Sequence, residues 1–254
     1  MSAELFMLLL PAFVAGCLVS STHVPLGIEV LKRGIIFIDL AIAQIAAMGV
    51  VIGHVIFQDS GQLHSLALAL LFALSGGGLF AWIESKKFKH LEAMIGAVFV
   101  VSASITILLL ANDPHGIEAM EKLLAGQILW AKWWPELFVT SIVSILILVV
   151  WFNRGTSHSP IFYYIFPIAI TFSVQIAGIY LVFASLILPA IATSNIKGKN
   201  KLISSYVVAL ISITAGLSFA VLFDLPTGPM IVCTYFILSM IFLIASYKLK
   251  KSSS

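Results

Sequence analysis

Ala93-Met94-Ile95-Gly96-Ala97-Val98-Phe99-Val100-Val101-Ser102-Ala103-Ser104-Ile105-Thr106-Ile107-Leu108-Leu109-Leu110-Ala111 runs for nineteen residues without a charged side chain. As an α-helix it would be about 28 Å long, close to the thickness of a bilayer's hydrocarbon core. Similar runs occupy residues 5–31, 35–57, 65–85, 136–152, 160–179, 203–223 and 228–247. A shorter apolar piece, 181–194, begins soon after Gly178 and reads as a half-length or re-entrant helix. The first run contains Pro25 and Gly27, which predict a kink or tilt. The expected fold is an all-α, polytopic transmembrane helix bundle of about eight or nine spans, with 1–254 as a single transmembrane domain.

Composition excludes the soluble alternative. Hydrophobic residues make up 61% of the chain, charged residues 10%, and the mean hydropathy is +1.11. A soluble domain carries about 25% charged residues to wet its surface. Lipid must therefore be the solvent of the outer face. The net charge is only +3, with basic residues in short clusters between apolar runs, so nucleic-acid binding is not indicated. Cys17 and Cys233 each lie in an apolar run and read as buried thiols without a disulfide.

The clusters predict orientation. Lys32 and Arg33, then Lys86, Lys87 and Lys89, then Arg154, then Lys197, Lys199 and Lys201, and finally Lys248, Lys250 and Lys251 all fall on one side if the short piece crosses. The other side holds Asp59, His64, Asp113, His115, Glu118, Glu121 and Asp224, against Lys122 and Lys132. The positive-inside rule then puts the N-terminus outside and the C-terminus in the cytoplasm, with about nine crossings. No basic region precedes the first run, so it reads as a retained span and not as a cleaved leader. Within the longest outer loop, 112–136, tryptophans and aliphatic residues at helical spacing predict an amphipathic helix at the interface.

Catalytic signatures are absent: there is no G-x-x-x-x-G-K-[ST], H-E-x-x-H or G-x-S-x-G. Four blocks carry a resemblance instead. They are Pro25-Leu26-Gly27 with Lys32-Arg33 and Phe37-Ile38-Asp39 to Gln44 and Gly49; Leu124-Ala125-Gly126-Gln127-Ile128-Leu129 with Pro135-Glu136-Leu137; Ala177-Gly178 with Ala184-Ser185-Leu186-Ile187-Leu188-Pro189-Ala190-Ile191-Ala192-Thr193; and Leu217-Ser218-Phe219 with Asp224-Leu225-Pro226-Thr227-Gly228-Pro229. In this order they resemble the permease family of zinc, manganese and iron ABC importers.

The resemblance implies a non-enzymatic transport subunit in the cell (inner) membrane, with no cofactor of its own. Its partners would be a second permease copy (a homodimer), a cytoplasmic ABC ATPase dimer that uses ATP, an extracytoplasmic metal-binding protein, and membrane lipid. It further implies that Pro189, Ala190, Thr193 and Lys197 belong to a coupling helix docking into the ATPase. The plain alternative is a positive-inside loop. Asp224, Pro226, Gly228 and Pro229 would form an outer turn.

Candidate metal-path residues are Asp39, Gln44 and His54. A carboxylate inside a span is costly against lipid and ordinarily faces a bundle interior or pathway. The family pattern sets a His four residues after the Asp, on the same helical face. Here Gln44 stands five residues after Asp39, about 140° around an ideal helix. A π-bulge between the two would restore a common side, and is the expectation. An Asp–Gln pair offers only oxygen ligands and suits a harder ion such as manganese better than zinc; Gln44 bonding a neighbouring helix is the other reading. His54 is placed at the outer mouth or in an interfacial hydrogen bond. His23 and Glu29 are weaker candidates, and His115 and His158 read as solvated loop residues. The rival functions are an ion-coupled secondary carrier, an ABC permease for a chelated metal or other small solute, and a membrane enzyme or assembly factor, for which no cluster of catalytic polar residues is found.

Overall fold

The computed structural model describes residues 3–56, 62–154 and 160–252, and among these every regular element is a helix. In chain order they are α1 (Ala3–Arg33), α2 (Ile38–Ile56), α3 (Gln62–Ser85), α4 (Leu91–Leu110), α5 (Gly116–Ala125), α6 (Phe138–Arg154), α7 (Phe162–Ala192), α8 (Lys199–Phe223) and α9 (Thr227–Ser252). A 3₁₀ turn, Ile128–Trp130, and a π turn, Trp133–Leu137, join α5 to α6. Among the described residues, eight helices are long and apolar enough to cross a bilayer; the short α5 is the exception. The amphipathic segment forecast between the fourth and fifth spans thus forms a helix only up to Ala125, where Gly126 at φ +70° ends it.

The centre of the bundle is α7, whose two halves are separated by non-helical backbone at Gly178 (φ 75°, ψ 164°). Phe162 and Tyr163 face the Arg33 guanidinium at 4.5 and 5.7 Å, while the Leu186 carbonyl lies against Gly27. Gly27 and Arg33 are only about 9 Å apart along α1, whereas a straight helix would separate Tyr163 from Leu186 by about 35 Å. The chain therefore turns back on itself at Gly178. The returning limb, 179–192, is the short piece anticipated after that glycine.

Around α7 the remaining spans present apolar faces outward. Val100, Val101, Ile107 and Leu108 on α4, Ile145 and Leu146 on α6, and Phe236 and Ile241 on α9 are all exposed. Side chains of this kind on every side of a bundle are stable only against lipid tails. Cys17 is half-buried and Cys233 is exposed, contrary to the expectation of buried thiols, because Cys233 borders an open groove between α9 and its neighbours.

Prolines inside spans leave carbonyls to be satisfied. Pro25 has no N–H for the carbonyl of Ser21, four residues back. The Tyr206 hydroxyl from α8 donates to that carbonyl at 2.7 Å. α1 runs through Pro25 as one helix and is fastened there to α8. Replacing Tyr206 by Phe orphans a part-buried carbonyl, which should cost about 1 kcal/mol. A lowered unfolding midpoint of the detergent-solubilised protein checks it.

Basic residues collect at one end of the bundle. Arg33 Nε donates to Glu29 Oε1 at 3.1 Å, and an Arg33 terminal nitrogen stands 3.6 Å from Glu84 Oε2, tying α1 to α3. Lys32 lies 3.7 Å from Glu29, and Lys201 at the start of α8 is within electrostatic range of Lys32. Arg33→Ala takes from the buried Glu29 its closest cation and from Phe162 its stacking partner. A loss of about 2 kcal/mol is expected, with Arg33→Lys recovering only part because an ammonium cannot reproduce the planar fork. Thermal unfolding of the three proteins side by side reads this out.

Candidate functional site

Helix α2 decides which candidate residues can meet. It is an ordinary α-helix throughout, without the expected π-bulge between Asp39 and Gln44. The π turn in this chain lies elsewhere, at Trp133–Leu137. With regular geometry Asp39 shares its face with Ala43, and Gln44 with Leu40. The two side chains therefore diverge, and the Asp–Gln pair is not assembled within one chain.

Asp39 sits in the first turn of α2 and is 1% exposed. Its carboxylate lies near the backbone N–H groups of Asp39 and Leu40, yet neither oxygen makes a well-formed hydrogen bond. Helix geometry explains part of its tolerance, since the N-terminal end of a helix favours negative charge. A second acid approaches the same turn. Glu92, in the first turn of α4, accepts the Phe37 backbone N–H at its Oε1 (3.1 Å), while its buried Oε2 has no partner. Sequence reasoning passed over Glu92. Its only signal was an acidic residue directly before an apolar run on the basic side.

Gln44 is 3% exposed and its Oε1 is unpartnered. It borders a groove of about 690 Å³ between α2, α4, α7 and α9, otherwise lined mainly by apolar side chains such as Phe99, Phe183, Leu188 and Phe236. His54 lies almost three turns further along α2, about 80° around the helix from Gln44. It opens into a separate cavity of about 450 Å³, toward the end away from the basic cluster, with Asp113, His115, Lys122, Gln127 and Gln175 on its walls. His54 and Gln44 thus belong to different spaces. Among the described residues, no three of His, Cys, Asp and Glu gather closely enough to hold a metal ion.

The other candidates are dispersed. His23 is fully buried, its Nδ1 2.7 Å from Ser185 Oγ, joining α1 to the returning limb of α7; Glu29 is held in the Arg33 cluster. His115 is exposed, 3.8 Å from Glu118. Lys122 Nζ lies 2.7 Å from Glu118 Oε1, and that hydrogen bond and charge hold the Glu118 carboxyl below its ordinary range. His158 lies outside the described residues.

Residues 189–201 do not form a separate helix. Pro189 and Ala190 are in the last turn of α7, a turn follows, and α8 starts at Lys199. Thr193 and Ser205 staple it: their hydroxyls are 2.7 Å apart, and Thr193 Oγ1 also donates to the Pro189 carbonyl at 2.9 Å. Lys197 is exposed. Asp224 takes the left-handed conformation (φ 52°) that ends α8, and Pro226 follows just before α9.

Three of the four sequence blocks meet at one point. Gly126 and Gly178 bring their backbones into contact, and Gly228 packs against the Ala125 carbonyl. A side chain at any of the three would collide with a neighbour's main chain. Small residues far apart in sequence thereby lock α5, the bend of α7 and the start of α9 together.

This architecture has relatives. Over 97% of this chain and 95% of the other, it matches a chain of PsaBC from Streptococcus pneumoniae in complex with Fab, with a TM-score of 0.71 at 20% identity. A structure described as a metal-chelate type ABC transporter in an inward-facing conformation gives 0.65 at 17% identity, covering 94% and 85% of the two chains. In sequence, the chain is 24% identical over 260 residues to the high-affinity zinc uptake system membrane protein ZnuB of Buchnera aphidicola subsp. Schizaphis graminum (strain Sg), covering 91% and 97% of the two. The profile of the ABC 3 transport family matches residues 5–158 and 156–248, nearly the full length, and the chain belongs to that family.

Proposed function

We propose that this chain is the membrane permease of an ATP-driven importer that brings a divalent metal ion into the cytoplasm. The observation that carries the reading is Asp39: a carboxylate 1% exposed, with two unpartnered oxygens, inside a family of ABC transporters. Such a group is expensive to bury and gains when a cation passes it. The basic end, with Lys32, Arg33 and Lys201, faces the cytoplasm under the positive-inside rule, which puts the N-terminus outside.

A second copy of the chain would close the open groove beside Gln44. Two Gln44 amides would then face one passage, contributing carbonyl oxygens. An ATPase dimer would engage the stapled turn 193–198, through the exposed Lys197, and move the attached end of α7. An extracytoplasmic binding protein would deliver the ion above the cavity bordered by His54 and Asp113. Such coupling requires that nucleotide and loaded binding protein each favour one of two conformations. Oxygen donors favour manganese or iron(II) over zinc.

The size and apolar lining of the 690 Å³ groove favour one second reading, a chelated metal as cargo. Uptake of zinc, manganese, iron and a chelated metal by cells expressing the permease with its ATPase and binding protein tests both. ATP-dependent uptake of a free ion supports the first reading; uptake of the chelate alone supports the second. Uptake of none overturns the importer.

A further inference from the structure

Glu92 has two oxygens in different circumstances. Oε1 caps the start of α2 through the Phe37 N–H, 55 residues away in sequence, and fixes the carboxyl beside the turn that carries Asp39. Oε2 is buried and accepts nothing, and both oxygens of Asp39 share that condition. The two acids lie within electrostatic range of each other. Three unsatisfied carboxylate oxygens are thus gathered where α2 and α4 begin. Two like charges at low dielectric repel, and each loses hydration that nothing nearby restores. Of the basic residues at the end of α1, Arg33 is tied to Glu29 and Glu84, and Lys32 to Glu29.

We infer that Asp39 and Glu92 form a two-carboxylate station for a hard divalent cation at the basic end of the bundle. It rests on the importer reading for its place on the path and supplies what α2 lacks. With α2 regular, the position four residues beyond Asp39 is Ala43, which has no ligand atom, and Gln44 points to the groove. Glu92 brings the second ligand from another helix. All donors are then carboxylate oxygens, the chemistry of manganese(II), magnesium or calcium, and a poor match for zinc, which prefers nitrogen and sulfur. Glu92 is half-buried while Asp39 is enclosed, so the ion would leave from Asp39 by way of Glu92.

Glu92→Gln separates a ligand from a cap. The Gln amide oxygen can still accept the Phe37 N–H, so a purely structural Glu92 would tolerate the change. Manganese(II) binding to the purified full-length chain in nanodiscs, followed by electron paramagnetic resonance, is the measurement. Asp39→Asn is run beside it, with Ser104→Ala, exposed on α4, as the control and zinc(II) as competitor. Glu92→Gln and Asp39→Asn should each weaken manganese binding by about tenfold or more at an unchanged unfolding midpoint, and Ser104→Ala by less than about threefold. Wild-type affinity in Glu92→Gln, or no binding by the wild type, overturns the station. Uptake by the complete transporter keeps the two readings apart. If the wild-type complex imports manganese and Glu92→Gln binds and imports equally, the station fails and the importer stands. If the complex imports no metal but binding is lost in Glu92→Gln, the importer fails and the cation site stands.

Discussion

Gly178→Val should leave little folded protein in the membrane. At φ 75° the native backbone is in a region that β-branched residues strongly avoid, and a Cβ there would sit on the main chain of Gly126 and Ala125. The strain and the overpacking together should cost about 3 kcal/mol or more. Against a total stability of about 5–15 kcal/mol this is a large fraction. The consequence extends beyond one turn, since the bend at Gly178 is what lets α7 return to Gly27 and Ser185 meet His23. Gly78→Val is the control, because nothing lies within 4 Å of its Cβ position. Size-exclusion profiles and unfolding midpoints in detergent check it. Gly178→Val should aggregate or lose about 6–12 °C, with the control close to wild type. Equal midpoints would mean that α7 does not need its bend.

Asp39→Asn should abolish transport without disturbing the fold. The substitution keeps the shape and removes the charge, and the buried carboxylate has no hydrogen bond of good geometry to lose. A fall in metal uptake of about 100-fold at normal membrane abundance is expected if the group contacts the passing ion. Abundance by immunoblot and metal content by mass spectrometry provide the two readings. A drop in both would mean that Asp39 is chiefly structural. Unchanged uptake would take it off the path.

Much of this architecture is legible from the residues alone, for a physical reason. Lipid admits few ways to satisfy a backbone, so runs such as 93–111 predict α4 (Leu91–Leu110) almost residue for residue. Gly178 could be seen as the start of a short piece because glycine is where a span can reverse. The meeting of Gly126, Gly178 and Gly228 could not, since it depends on three distant segments arriving together. The site was less legible. Reading a π-bulge into α2 forced Gln44 beside Asp39, whereas the regular helix turns Gln44 to the groove and His54 to another cavity. Glu92 was invisible because its role arises from α4 packing against the start of α2, not from any local pattern. The residues 189–201 read as a coupling helix by analogy, but they divide among the end of α7, a turn held by Thr193 and Ser205, and the start of α8.

Membership of the ABC 3 transport family removes the secondary carrier and the membrane enzyme as readings, and leaves cargo and direction as the central questions. ATP-driven accumulation in proteoliposomes answers them most directly, using the permease with its ATPase and metal-binding protein. Manganese, iron(II) and zinc would be followed for wild type and Asp39→Asn. The account predicts that the wild type concentrates a divalent ion, manganese foremost, only when ATP and the binding protein are both supplied on their proper sides, and that Asp39→Asn does not. Failure of the wild type to accumulate any of the three metals under those conditions would contradict it.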